Sequence, residues 1–398
     1  MPCPSLVKKG IPDPPSSFNH RLNKNKMPTK IIPVLLLTAA TVVIAATAVS
    51  WMNPGTGLAP IAGVAATTGA EPSTGPGADP SAADIRLSIS KSLSILQTSG
   101  YKFTSRAKLH CASCHHNTMT SMLEEKSKLK GISFVDTFKT QRIQSMVGDI
   151  RFACNINQPD FFVPAKFIAP YVLVGLAAEK YQPDPYTDIA VDYLINQQKP
   201  DGTFGAEFGR PPLESGEMHL ASLCVRAIQL FAAPAQHKKV EEMVSRTKTW
   251  LENTTADVQQ ELNFQLLGLQ WCSSNRQEKE KVAARLLALQ HPDGSWSQLP
   301  TMSGDAYATG QALYALSESS TLLPQDLAYQ KGVSWLLRHQ DASGAWIVET
   351  RAFAIQPFFN SDFPPYDENQ YISATATNWA ALALLNALPD QTLMASAP

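Results

Sequence analysis

Cys111-Ala-Ser-Cys114-His115-His116 gathers more reactive side chains into six residues than any other stretch of the chain. Two thiols separated by two residues and followed by an imidazole form the attachment signature of haem c. The thiols can add to the two vinyl groups, and His115 can ligate the iron. With 6 cysteines and 8 histidines among 398 residues, chance is a poor explanation for that spacing. Zinc is an alternative, bound by Cys111, Cys114 and His116 with a fourth ligand such as His219 or Asp305. A disulfide, or two inert thiols with no cofactor at all, also fits these residues. No later segment reads as a complete cytochrome c domain, and Met119 and Met122 are too near in sequence to reach the far face of a haem.

Two loops bring polar groups and aromatics together. One spans 204–217 and holds Arg210, Glu214 and Glu217, with His219 just beyond it. The other spans 347–371 and holds Arg351, Asp362, Asp367, Glu368 and Gln370 among Phe353, Phe358, Phe359, Phe363 and Tyr366. Long loops inside a compact domain are usually functional, so both are expected at the rim of a ligand cavity. A polar rim over an apolar cavity suits an elongated apolar ligand with a polar head. The alternative is a loop that merely plugs the fold. The tryptophans Trp250, Trp271, Trp296, Trp335, Trp346 and Trp379 read as packing residues rather than ligand platforms.

The elements that must carry these residues begin after an export segment. Residues 1–30 hold Lys8, Lys9, Arg21, Lys24, Lys26 and Lys30 against one acid, Asp13. An apolar run at 31–51 follows, about long enough to cross a bilayer at ~1.5 Å per residue. The charge step predicts a cytoplasmic N-terminus and export of the rest to a bacterial periplasm or another extracytoplasmic face. Met27 is a candidate start, and Ala46-Thr47-Ala48 a candidate cleavage site. The run reads equally as a cleaved signal peptide or as a membrane anchor. Residues 52–81, rich in Pro, Gly, Ala, Thr and Ser, form a flexible linker. The folded part is expected over 82–389, with a tail at 390–398.

Within it two kinds of helical segment alternate. Segments 82–97, 133–147, 186–198, 237–252, 277–290 and 326–340 place charge opposite an apolar face and are expected outside. Segments 112–129, 161–179, 217–233, 257–272, 305–318 and 372–388 are apolar nearly all round and are expected inside. The fold class is therefore all-α, with about six outer–inner helix pairs and no strand. Charge is balanced at 33 basic against 34 acidic residues, with no basic block in the body, so nucleic acid is excluded as a partner.

A short motif punctuates the outer helices: Gln198–Phe204, Gln290–Trp296 and Gln340–Trp346 share Gln-x-x-x-Gly-x-aromatic. Gly permits a positive-φ helix stop, the aromatic packs back, and Gln can bond orphan helix-end groups. Gln97–Phe103 reads as a degraded fourth copy. These motifs and helix pairs resemble squalene-hopene and other terpenoid cyclases, and protein prenyltransferase β subunits. The resemblance implies an α/α toroid with a central cavity over 82–388. Cys111–Asn117, Arg210–Glu214, Ser303–Gln311 and Arg351–Thr377 are similar to a group of exported, squalene-cyclase-like bacterial proteins with a CxxCHH motif.

Class II cyclases protonate an alkene or epoxide with the middle acid of Asp-x-Asp-Asp. Here the matching run is Asp305-Ala306-Tyr307-Ala308, which keeps the first Asp alone. Tyr307, at an ordinary phenol pKa near ~10, is a poor initiating acid. Prenyltransferases use an Asp and a Cys two apart with a His around zinc, and Tyr307 replaces that Cys. Asp305 and Tyr307 remain the catalytic candidates, Asp305 with a second reading as a helix N-cap. Three functions follow. The first is a haem-bearing toroid, an oxidoreductase or binder for an apolar, isoprenoid-like ligand, with a redox partner and an N-terminal membrane anchor. The second is a non-catalytic redox or lipid-binding scaffold, and the third a degenerate cyclase or prenyltransferase.

Overall fold

The computed structural model describes residues 80–106, 112–153, 165–206, 209–352 and 360–389. The apolar run 31–51, the linker, Cys111, Phe353, Phe358 and Phe359 lie outside the described residues, as does the tail 390–398. Among the described residues no helix is long and apolar enough to cross a membrane.

Six helices form an inner ring. They are α2 (Met119–Leu129), α4 (Ala165–Ala178), α6 (Glu217–Phe231), α8 (Gln259–Trp271), α10 (Ala306–Glu318) and α12 (Gln370–Asn386). A π-helical turn, Cys114–Thr118, leads into α2. Six more lie outside: α1 (Ala82–Arg106), α3 (Lys139–Ala153), α5 (Pro185–Gln197), α7 (His237–Asn253), α9 (Arg276–Leu287) and α11 (Leu327–Arg338). The composition of each face decides its layer. On α7 only the stripe Val240, Met243, Thr247 and Leu251 is buried, whereas α12 is buried at nearly every position from Ile372 to Leu385.

Each inner helix packs on the next, α2–α4–α6–α8–α10–α12, and α12 returns to α2, closing the ring. Cross-helix contacts show that the inner helices run parallel. Gln259 meets the Ala308 carbonyl, Asn263 meets Gln311, Asn378 meets the His115 carbonyl, and Asn386 meets Glu318. All N-terminal ends therefore lie at one mouth of the ring and all C-terminal ends at the other. This is the α/α toroid of six outer–inner pairs, and the described residues contain no strand, only an isolated bridge between Arg210 and Glu214.

Three local expectations fail. Helix α1 does not stop near Gly100 but runs on to Arg106, so Gln97–Phe103 is no turn. Gly100 serves a close approach instead, because a Cβ there would stand 2.9 Å from the His116 carbonyl oxygen. Gln97 turns inward to Glu124 at 2.8 Å. Helix α3 begins at Lys139 rather than at 133, since 132–138 (Ile-Ser-Phe-Val-Asp-Thr-Phe) is a run of β-branched and aromatic residues with low helix propensity.

Candidate functional site

Residues from four separate segments meet at the N-terminal mouth. Ser113 caps the π-helical turn, its hydroxyl accepting from the His115 and His116 amides at 3.3 Å. That turn presents Cys114 and His115 on the loop side. His115 Nε2 lies 3.7 Å from Glu214 Oε1, and Glu214 in turn accepts from Arg210 at 2.7 Å. Burial pushes the Glu214 carboxyl up, but His115 and Arg210 outweigh it and hold it below the usual range. Cys114 is a free thiol. Burial, with the nearby Glu214 and Asp149 carboxylates, raises it strongly and keeps it protonated.

His116 points the other way. Its Nδ1 meets Ser113 Oγ at 2.9 Å and its Nε2 meets Ser361 Oγ at 3.0 Å. The ring stacks on Phe103 and takes the edges of Phe363 and Tyr371. Burial, then His115, lowers it to about 3, so it is a neutral core histidine. Both of its nitrogens thus face serine hydroxyls.

His219 and Tyr307 lie beneath His115. His219 Nε2 bonds Tyr171 Oη at 2.6 Å and Nδ1 faces the Ser215 carbonyl at 3.3 Å. Burial lowers this imidazole to about 4. Tyr307 donates to Gln260 at 2.8 Å, and burial pushes its phenol well up. Asp305 is the N-cap of α10: one oxygen accepts from the Ala308 amide at 2.9 Å, the other from Gln298 at 3.1 Å. Burial raises its carboxyl. Arg351 reaches Asp305 only through Gln298, to which it donates at 2.8 Å.

The rim expectation divides. The 204–217 loop does stand beside His115. Within 347–371, Asp367 is an exposed turn residue that accepts from the Asn369 amide at 2.8 Å. Asp362 is tied to Lys102 and Arg106 of α1 at 2.8 and 2.7 Å, and Phe363 is buried on His116. Residues 360–362 therefore pack onto α1.

Toward the opposite end the inner helices enclose a cavity of about 270 Å³. Met119, Tyr171, Leu223, Phe264 and Trp379 line its deep part, and Tyr314 and Leu382 lie further along. Glu125, Lys126, Arg226 and Glu318, with Trp271, surround its outer end on the last turns of α2, α6, α8 and α10. Lys126 pairs with Glu318 and reaches Asn386 at 2.9 Å. The charged end of the cavity therefore lies opposite the end that carries Cys114 and His115. The two regions touch through Tyr171, which lines the cavity and bonds His219. Sequence reading passed over Tyr171; its signal was a phenol inside the otherwise apolar run 161–179. It also read Trp271 and Trp379 as packing, whereas both line the cavity.

No family model matches the chain, and no curated protein matches its sequence. Among solved structures it is similar to the type II terpene cyclase MstE from Scytonema, at 14% identity and a TM-score of 0.51, covering 78% of this chain and 99% of that one. A variant of that cyclase in complex with geranylgeranyl dihydroxybenzoate aligns at 15% identity and a TM-score of 0.48, covering 78% and 100%. The fold is that of the terpenoid cyclases. At such identity the likeness speaks to fold alone.

Proposed function

We propose that the protein binds an elongated, apolar, isoprenoid-like ligand in its central cavity and does not perform proton-initiated cyclisation. The observation that carries this reading is the cavity itself, enclosed by all six inner helices, aromatic at depth and charged at its outer end. A flexible chain can lie along the rings of Tyr171, Phe264 and Trp379, with Lys126, Arg226 and the facing acids around the entrance. Against cyclisation, both oxygens of Asp305 are committed to the cap and to Gln298, and among the described residues no second carboxyl stands beside it to sharpen its acidity. The Asp-x-Asp-Asp motif of class II cyclases is not matched at Asp305-Ala306-Tyr307-Ala308.

The second reading is a covalent haem at Cys111, Cys114 and His115, in an exported protein held at a membrane by 31–51 and serving a redox partner. One observation favours it over zinc. Both nitrogens of His116 face serine hydroxyls, whereas the His115 ring turns its Nε2 toward Glu214 at 3.7 Å. Cys114 is a free thiol. When bound, haem supplies one-electron chemistry. Glu214, fixed by Arg210, holds the imidazole edge, and Tyr171–His219 separates that end from the cavity.

One preparation tests both readings: the full chain expressed in a bacterium competent in haem attachment. Organic extraction with mass spectrometry should release an isoprenoid-like compound, and denatured protein should retain a haem spectrum. An empty extract together with failure to bind any linear isoprenoid probe overturns the first reading. A colourless protein overturns the second.

A further inference from the structure

Tyr171 is deep in the molecule yet keeps accessible surface, and it lines the cavity. The position of its hydroxyl hydrogen follows from its neighbours. The Ser215 carbonyl accepts and cannot donate, so His219 Nδ1 at 3.3 Å carries the imidazole proton. Burial keeps the ring neutral, so Nε2 bears a lone pair and accepts from Tyr171 at 2.6 Å. Stacking on Phe264, with ring centroids 4.1 Å apart, fixes the imidazole in that orientation. The same carbonyl also accepts from Gln260 at 3.2 Å, and Gln260 accepts from Tyr307, so the donors all run one way through the network. The hydrogen of Tyr171 is therefore spoken for, and no other donor to its oxygen is found among the described residues.

We propose that Tyr171, held by His219, is a specificity-determining anchor that accepts a hydrogen bond from the leading end of the cavity ligand. The ligand class is an apolar chain ending in a hydroxyl or another O–H or N–H donor, in preference to an ether, ester or plain hydrocarbon end. This rests on the cavity-binding reading and narrows it. A phenol free to rotate could serve donors and acceptors alike. One whose hydrogen is committed to an imidazole offers lone pairs only, and an ether oxygen set against it leaves two acceptors facing one another in an apolar pocket.

The test compares a linear C15 isoprenoid alcohol with its methyl ether on full-length, delipidated protein. The alcohol should bind about three- to tenfold more tightly, the range expected for one hydrogen bond. Tyr171→Phe should remove that preference while leaving ether affinity nearly unchanged; a merely structural role for the phenol would weaken both probes together. His219→Phe keeps the stack on Phe264 but frees the phenol hydrogen, so the ether should gain. Equal affinity for the two probes in the native protein, or a preference that persists in Tyr171→Phe, overturns the anchor and leaves the cavity reading intact. Failure of both probes to bind removes the cavity reading and the anchor with it.

Discussion

Arg142 is 3% exposed and meets Glu124, Asp136 and Glu179 at 2.6, 2.8 and 2.6 Å, while Lys139 approaches Glu179 at 3.3 Å. Three acids against two bases would leave a buried excess of negative charge, unless one acid keeps its proton. Burial, chiefly, holds the Glu124 carboxyl far above the usual carboxylate range. Burial likewise raises Glu261, to about 7. Such groups bind protons in the folded state that the unfolded chain has released, so stability falls as pH rises through their folded values. His116 and His219, lowered by burial, act with the opposite sign, but only below the ordinary histidine value of about 6.5. From pH 6.5 to about 8 the carboxyls act alone. Thermal stability should decline over that window, on the order of 1 kcal/mol per pH unit. Glu124→Gln should remove most of the slope; an unchanged slope in that variant would show that the proton resides elsewhere.

At the scale of the element, the Gln-x-x-x-Gly-x-aromatic turn staples three outer helices, α5, α9 and α11, each to the next outer helix around the ring. Gln198 donates to the Met243 carbonyl and to Thr247 of α7, Gln290 to the Ala328 carbonyl of α11, and Gln340 to the Ser88 carbonyl and Ser92 of α1. Trp296 and Trp346 each return an indole N–H to the end of their own outer helix, at Leu286 and Leu336. The glycines make the staple possible. At Gly294 (φ +97°) a Cβ would lie 2.5 Å from the Lys331 carbonyl oxygen, and at Gly344 (φ +91°) 2.7 Å from the Lys91 backbone. Gly294→Ala and Gly344→Ala should each cost about 1–3 kcal/mol in denaturant unfolding. Gly148 of α3 has nothing within 4 Å and no such constraint, so Gly148→Ala should stabilise by about 0.4–1 kcal/mol. Similar losses at all three positions would contradict the staple.

For the whole molecule, the Gln340 staple is the one that closes the outer ring, because it joins α11 near the end of the chain to α1 near its start. Ser92 adds a bond to the Gly344 carbonyl at 2.9 Å, and Trp346 is held from within by Thr377 at 3.0 Å. Gln340→Ala should therefore speed hydrogen exchange selectively in α1, with α7 and α8 unaffected. Uniform acceleration across the ring would mean that closure is carried elsewhere. The order of inner and outer helices was legible in the sequence because burial follows periodicity: α12, apolar all round, can only be inside, and α7, with one stripe, can only be outside. The three staples were legible because Gly and an aromatic at fixed spacing have few other uses. The failed fourth copy at Gln97–Phe103 shows the limit, since only packing against His116 reveals that Gly100 makes room inside a helix rather than ending one. His115 and His116 are neighbours of one residue type, and no local rule separates them. The π-helical turn sends one toward Glu214 and the other into Ser113 and Ser361, and partners 99 and 245 residues away can be known only after folding. The direction of the Tyr171 hydroxyl hydrogen is of the same kind. Periodicity and turn chemistry act over a few residues, so the sequence by itself determined the layers and their punctuation. The identity of each side chain's distant partner depends on ring closure, and the tertiary structure alone decided it.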